Sequence, residues 1–69
     1  MFGTLEGSVE RFDDPRGLGM IRSDDGRGFP FHCTSIANGT RTIGEGRRVS
    51  FEVVDGRLGE WEAVAIVER

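Results

Sequence analysis

The chain has 69 residues, of which 36% are apolar, with 11 glycines, 12 acidic and 9 basic side chains and a net charge of −3. That length supplies one core, so a single domain over residues 1–69 is expected, and the apolar and glycine content argues against a disordered polar tail. A net acidic chain makes a poor indiscriminate phosphate binder, so any nucleic-acid binding must rest on local geometry.

Four turn signals divide the sequence: Asp14-Pro15-Arg16-Gly17, Asp25-Gly26, Asn38-Gly39 and Asp55-Gly56. Thr4 to Phe12 places Leu5, Gly7 and Val9 on one face of a strand, but Phe12 falls on the opposite parity. A bulge or bend near Glu10 and Arg11 would return it to the core. Leu18 to Ser23 sets Leu18, Met20 and Arg22 against Gly19 and Ile21. In Phe29 to Cys33, Phe29 and Phe31 share a face opposite Pro30 and His32, and Pro30, lacking an amide donor, requires an edge or one-sided pairing. Thr34 to Gly46 has no strong period and reads as a loop with a short helical turn, anchored by Ile36 and Ile43. Arg48 to Val54 is the clearest strand, with Val49, Phe51 and Val53 inward and a polar outer face. Trp61 to Val67 is the last, and its pattern does not choose between Glu62, Val64 and Ile66 and the alternate set Trp61, Ala63, Ala65 and Val67. Five short strands without an amphipathic helix give an all-β fold, and a closed five-stranded barrel suits this length because closure removes exposed edges.

One cysteine, Cys33, and one histidine, His32, provide neither a disulfide nor the ligands of a structural zinc site, so no metal and no other cofactor is expected. Cys33 reads as a small buried group, and Asp13-Asp14 and Asp24-Asp25 as turn formers. No nucleophile, base and orienting group come within reach of one another in the pattern, which argues against an enzyme and a small-molecule substrate. No apolar run approaches a membrane span, and Met1 to Leu5 lacks the form of a secretion signal. With the lone thiol, this points to a cytoplasmic protein without a membrane partner.

The order of motifs resembles that of the bacterial cold-shock proteins and related cold-shock domains over nearly the whole chain. Gly7-Ser8-Val9-Glu10-Arg11-Phe12 is similar to the family's opening Gly-x-Val-Lys-Trp-Phe, and Arg16-Gly17-Leu18-Gly19-Met20-Ile21 to its first ribonucleoprotein motif, Lys-Gly-Phe-Gly-Phe-Ile. Phe29-Pro30-Phe31-His32-Cys33 stands where the family has Val-Phe-Val-His-Phe. Thr34-Ser35-Ile36 and Gly44-Glu45-Gly46-Arg47-Arg48-Val49-Ser50-Phe51 follow in register with Ser-Ala-Ile and Glu-Glu-Gly-Gln-x-Val-Ser-Phe. The resemblance implies an antiparallel OB-type barrel whose second and third strands offer aromatic rings to single-stranded RNA or DNA, as a passive RNA chaperone would. Stacking on such rings contributes about 1 to 3 kcal/mol per base and tolerates any sequence.

The departures fall on that surface. Arg11 replaces the first-strand Trp, Leu18 and Met20 the two Phe of the first motif, Pro30 and Cys33 the Phe of the second, and Thr40 a loop aromatic; Glu10 replaces a Lys. His32 alone remains as a ring. Arg11, Arg16, Arg22 and Arg27 are candidates to compensate, since guanidinium planes stack on bases and pair with phosphate, while every basic residue being arginine is also what a compositional bias would give. Leu18 and Met20 still offer apolar area. Trp61 has two readings, a stacking ring or a plug at one end of the barrel; His32 is either part of the binding surface or an exposed edge histidine without a partner. The site set is therefore Arg11, Arg16, Leu18, Met20, Arg22, Arg27, Pro30, His32 and Trp61. Two functions are carried forward: a monomeric binder of single-stranded nucleic acid with weakened or altered affinity, and a cold-shock scaffold turned to a protein partner through Leu18, Met20 and Pro30.

Overall fold

The computed structural model describes residues 4–37, 39, 42–56 and 61–69. Five strands follow in chain order: β1 (Leu5–Asp13), β2 (Leu18–Ser23), β3 (Gly28–His32), β4 (Arg48–Asp55) and β5 (Trp61–Glu68), with a 3₁₀ turn at Cys33–Ser35. They form one antiparallel sheet in the order β3-β2-β1-β4-β5. The two ends of that order, β3 and β5, pack against each other. A parallel bridge between Ile36 and Ile66, in which Ala37 N–H donates to the Ile66 carbonyl at 2.8 Å, completes the cylinder. Closure is thus by packing and one bridge. β3 lies at the end of the ladder order, as a strand containing Pro30 requires.

Two irregularities decide which side chains face inward. On β1, Val9 pairs with Ile21 and Arg11 with Met20, leaving Glu10 as the extra residue of a bulge. Glu10 and Arg11 both point out, and Phe12 turns in, stacking on Phe31 at a centroid distance of 5.9 Å with planes 8° apart. On β5, Ser50 pairs with Val67 and Glu52 with Val64, so Ala65 and Ile66 together oppose Phe51. Ala65 takes φ of 52°, a left-handed conformation costly for a residue with a Cβ, and the strand changes faces there. Neither alternating set expected for β5 is therefore the buried one: Ala63 and Ile66, of opposite parity, are both fully buried.

The core gathers Val9, Ile21, Phe29, Phe31, Cys33, Ile36, Ile43, Val49, Phe51, Val53, Ala63 and Ile66, with Leu5 and Phe12 packed on its margin. Full burial of a side chain such as Phe51 or Ile21 contributes about 1.5 to 3 kcal/mol. Gly19 makes room for this packing, since a Cβ there would lie 2.5 Å from the Phe31 ring. Three local expectations are corrected. Cys33 belongs to the 3₁₀ turn, because β3 ends at His32; its thiol is buried and packs on Gly17, which turns the chain at φ 68°. Ser50 is buried although it falls on the polar parity of β4, because the β5 irregularity wraps that edge. Thr4 precedes the first strand. The turn at Asp25-Gly26 forms as expected, with Gly26 at φ 93°. The expectations for Asn38 and Thr40 lie outside the described residues.

Candidate nucleic-acid interface

The outer wall of β2 and β3 is set by pairing. Leu18 lies opposite His32, Met20 opposite Pro30 and Arg22 opposite Gly28, while Met20 also faces Arg11 across β1. Strand alternation turns these side chains away from the core, into which Ile21, Phe29 and Phe31 point. Two open depressions meet on this wall. The larger, about 880 Å³, is bounded by Arg11, Phe12, Arg16, Leu18, Met20 and Pro30, with Glu45 on its rim. The smaller, about 500 Å³, is bounded by Met20, Arg27, Gly28, Phe29, Pro30 and Trp61. Met20 and Pro30 belong to both, so the two form one continuous surface.

Seven of the nine sequence-derived residues therefore border these depressions: Arg11, Arg16, Leu18, Met20, Arg27, Pro30 and Trp61. Leu18 and Trp61 are 47% and 44% exposed, more than a burial-driven role for either would leave. Trp61 opens β5 opposite Asp55 and faces the β2–β3 wall across the smaller depression.

The remaining two are on the same wall with their polar atoms already engaged. Arg22 donates from Nε to Glu10 Oε1 at 3.0 Å, places Nη2 2.8 Å from the same oxygen, and donates from Nη1 to the Gly26 carbonyl at 2.9 Å. His32 accepts at Nδ1 from the Thr34 backbone N–H at 3.3 Å, with the Thr34 hydroxyl 3.0 Å away. It caps the 3₁₀ turn, so the partnerless reading of this histidine is corrected, and an Nδ1 that accepts leaves Nε2 to carry the proton outward.

The other arginines differ in how they are held. Arg27 pairs with Asp25 at 2.8 Å and lies over the Phe29 ring, its Cζ 5.3 Å from the centroid. Among the described residues, the acidic contact of Arg16 is with Asp13, at 3.6 Å. Arg11 has no acidic partner among the described residues. Asp25 is itself anchored: hydrogen bonds from the Ser23 hydroxyl, then from the Arg27 backbone N–H, hold its carboxyl below the ordinary 3.8. Among the described residues no group of His, Cys, Asp and Glu side chains gathers to hold a metal ion.

Sequence reasoning missed Glu10 and Asp25 as partners of the wall's arginines, and Phe12 as part of its lining. The bulge anticipated at Glu10 and Arg11 was the available signal, because an extra residue there sends two consecutive side chains outward.

A small antiparallel barrel carrying one open wall of apolar and guanidinium groups is a binding module in form. The chain belongs to the cold-shock domain family: the model of that family, described as the 'Cold-shock' DNA-binding domain, matches residues 5–68. It is 39% identical over 57 residues to the cold shock-like protein CspE of Escherichia coli K12, covering 80% of this chain and 83% of that one. It is 40% identical over 57 residues to the CspC protein of Buchnera aphidicola, with the same coverage. Against CspE of Bacillus anthracis it is 39% identical, covering 81% of this chain and 85% of the relative. Among solved structures, the Drosophila Unr fragment CSD456 superposes with a TM-score of 0.80 at 20% identity, covering 97% of this chain and 27% of that one, which is a likeness of fold.

Proposed function

We propose that the chain binds single-stranded RNA or DNA along the outer wall of β2 and β3, acting as a passive RNA chaperone that keeps the strand unpaired. Membership of the cold-shock domain family supports nucleic-acid binding, and the continuous surface through Met20 and Pro30 carries the choice of wall. On this reading Trp61 and Met20 receive base faces in the smaller depression. Leu18 and Pro30 supply apolar floor in the larger one, and Arg11 and Arg16 meet phosphate or stack at its edge. His32 offers Nε2–H to a base edge while Nδ1 stays with Thr34. No step forms or breaks a covalent bond. The domain is taken to act as a cytoplasmic monomer.

The test is a fluorescence titration of Trp61 with short pyrimidine oligonucleotides at low salt. Quenching that saturates, and that Met20→Glu weakens, is the expected result. A flat signal at every oligonucleotide concentration would overturn the reading. Capture of a protein partner that Met20→Glu abolishes would then favour the scaffold alternative.

A further inference from the structure

The four arginines of the wall differ in whether their charge is available. Every nitrogen of Arg22 is already turned to a protein acceptor: Nε and Nη2 converge on Glu10 Oε1, and Nη1 on the Gly26 carbonyl. The Nε/Nη2 edge, one of the two on which a guanidinium forks a phosphate, is therefore occupied, the carboxylate offsets the charge, and the flat faces of the group stay open. Gly28 lies beside this group: a Cβ built there would be 3.4 Å from Met20 Sδ and 3.6 Å from Arg22 Nη1. The guanidinium and the thioether thus flank the same glycine. Arg27 is held at one atom, its Nε donating to Asp25, and its Cζ lies 5.3 Å from the Phe29 centroid, so one face rests on that ring and the other faces outward.

We infer that Glu10 and Asp25 act as positioning residues that neutralise Arg22 and Arg27 and convert them from phosphate contacts into stacking surfaces for bases. This rests on the proposed nucleic-acid binding and deepens it. The carboxylate of Glu10 stands where a strand phosphate would otherwise pair, at the bulge residue skipped between the Val9–Ile21 and Arg11–Met20 pairs. Binding then depends on stacking more than on counterion release, and only Arg11 and Arg16 remain as phosphate contacts.

The salt dependence of affinity reads this directly. Each phosphate contact to a single strand contributes about −0.7 to the slope of log K against log salt, so two contacts give about −1.4 and four about −2.8. Between roughly 50 and 200 mM salt, those slopes correspond to affinity losses of about sevenfold and about fiftyfold. The experiment titrates a short oligothymidylate into the wild-type protein, Glu10→Gln and Glu10→Ala at several salt concentrations, with thermal melting to show that each variant is folded. The expected result is a shallow wild-type slope that steepens by about 0.7 in both variants, with tighter binding at low salt. A wild-type slope near −2.8, or an unchanged slope in both variants, overturns the inference and leaves the binding reading intact. Binding by the Glu10 variants but not by wild type supports it, and binding by none of the three overturns both.

Discussion

Two clusters along β1, one around Glu6 and one around Glu10, are built from the same residue types and put to different uses. At the start of the strand, Arg48 meets Asp24 through two separate nitrogens and two separate oxygens, at 2.8 and 2.9 Å. Glu6 lies 3.9 Å from Arg48 and 3.7 Å from Arg69. This fork ties the beginning of β4 to the turn after β2 across 24 residues of sequence, and it lies away from the open wall. At the bulge, Arg22 reaches one oxygen of Glu10, and a backbone carbonyl takes its third nitrogen. The first arrangement fastens segments distant in sequence; the second holds a charge-paired, planar group beside the open wall of β2 and β3. Identical chemistry thus acts as a clamp or as a floor according to what lies next to it.

The sharpest way to break the contrast is to remove what both clusters share. Phe31→Ala deletes a core ring that also supports Phe12, and a loss of about 3 to 5 kcal/mol would consume most of the stability of so small a domain. Denaturant unfolding should show a largely unfolded chain, with clamp and wall lost together. Trp61→Ala should separate them: affinity for a short oligonucleotide falls by about 5- to 150-fold, the worth of one stacked base, while the thermal midpoint moves little. Because this variant removes the fluorophore, calorimetry is the suitable measurement. Arg11→Glu reverses a cation of the wall that has no acidic partner among the described residues and should cost well over tenfold in affinity at low salt, about 1.4 kcal/mol or more, with melting unchanged. If affinity is unaffected, the strand runs elsewhere on the barrel.

The smallest effect belongs to the clamp. The Arg48 hydrogen bond holds the Asp24 carboxyl below its ordinary 3.8, so the charged form is favoured in the folded state. Its contribution is then fully present above that ordinary value and is lost as pH falls through the lowered one. Asp24→Asn should lower the thermal midpoint slightly at neutral pH, with the difference from wild type vanishing in strong acid, and leave oligonucleotide affinity untouched. Because the pair is open to water, the shift should also shrink at high salt.

Much of this architecture was legible from residue order. Alternation in β4 set Val49, Phe51 and Val53 inward and alternation in β3 put Phe29 and Phe31 on one face, all of them buried, and the parity break at Phe12 pointed to a bulge or bend where the bulge lies. Ile36 and Ile43 were recognisable as anchors by being apolar in a polar loop. The change of face at Ala65 was not readable: alanine rarely adopts a positive φ, and it does so here because the surrounding ladder fixes Ile66 inward. On the wall, pattern and resemblance together indicated which side chains face outward, and seven of the nine line the two depressions. What they did not indicate was which cations are engaged. Pairing of Arg22 with Glu10 depends on a bulge geometry that brings together side chains 12 residues apart.

That geometry leaves Glu10 in an unusual situation. A supernumerary strand residue faces no neighbour across the ladder, and its exposed side chain meets Arg22 on the outer surface, so exchanging it asks nothing of the hydrophobic interior. The electrical character of the adjoining face can therefore be reset by one substitution, from acid to amide to base, without renegotiating how the sheet is laced. In a domain of this size, such a decoupled position gives the protein latitude to retune its ligand preference while the cylinder beneath stays the same.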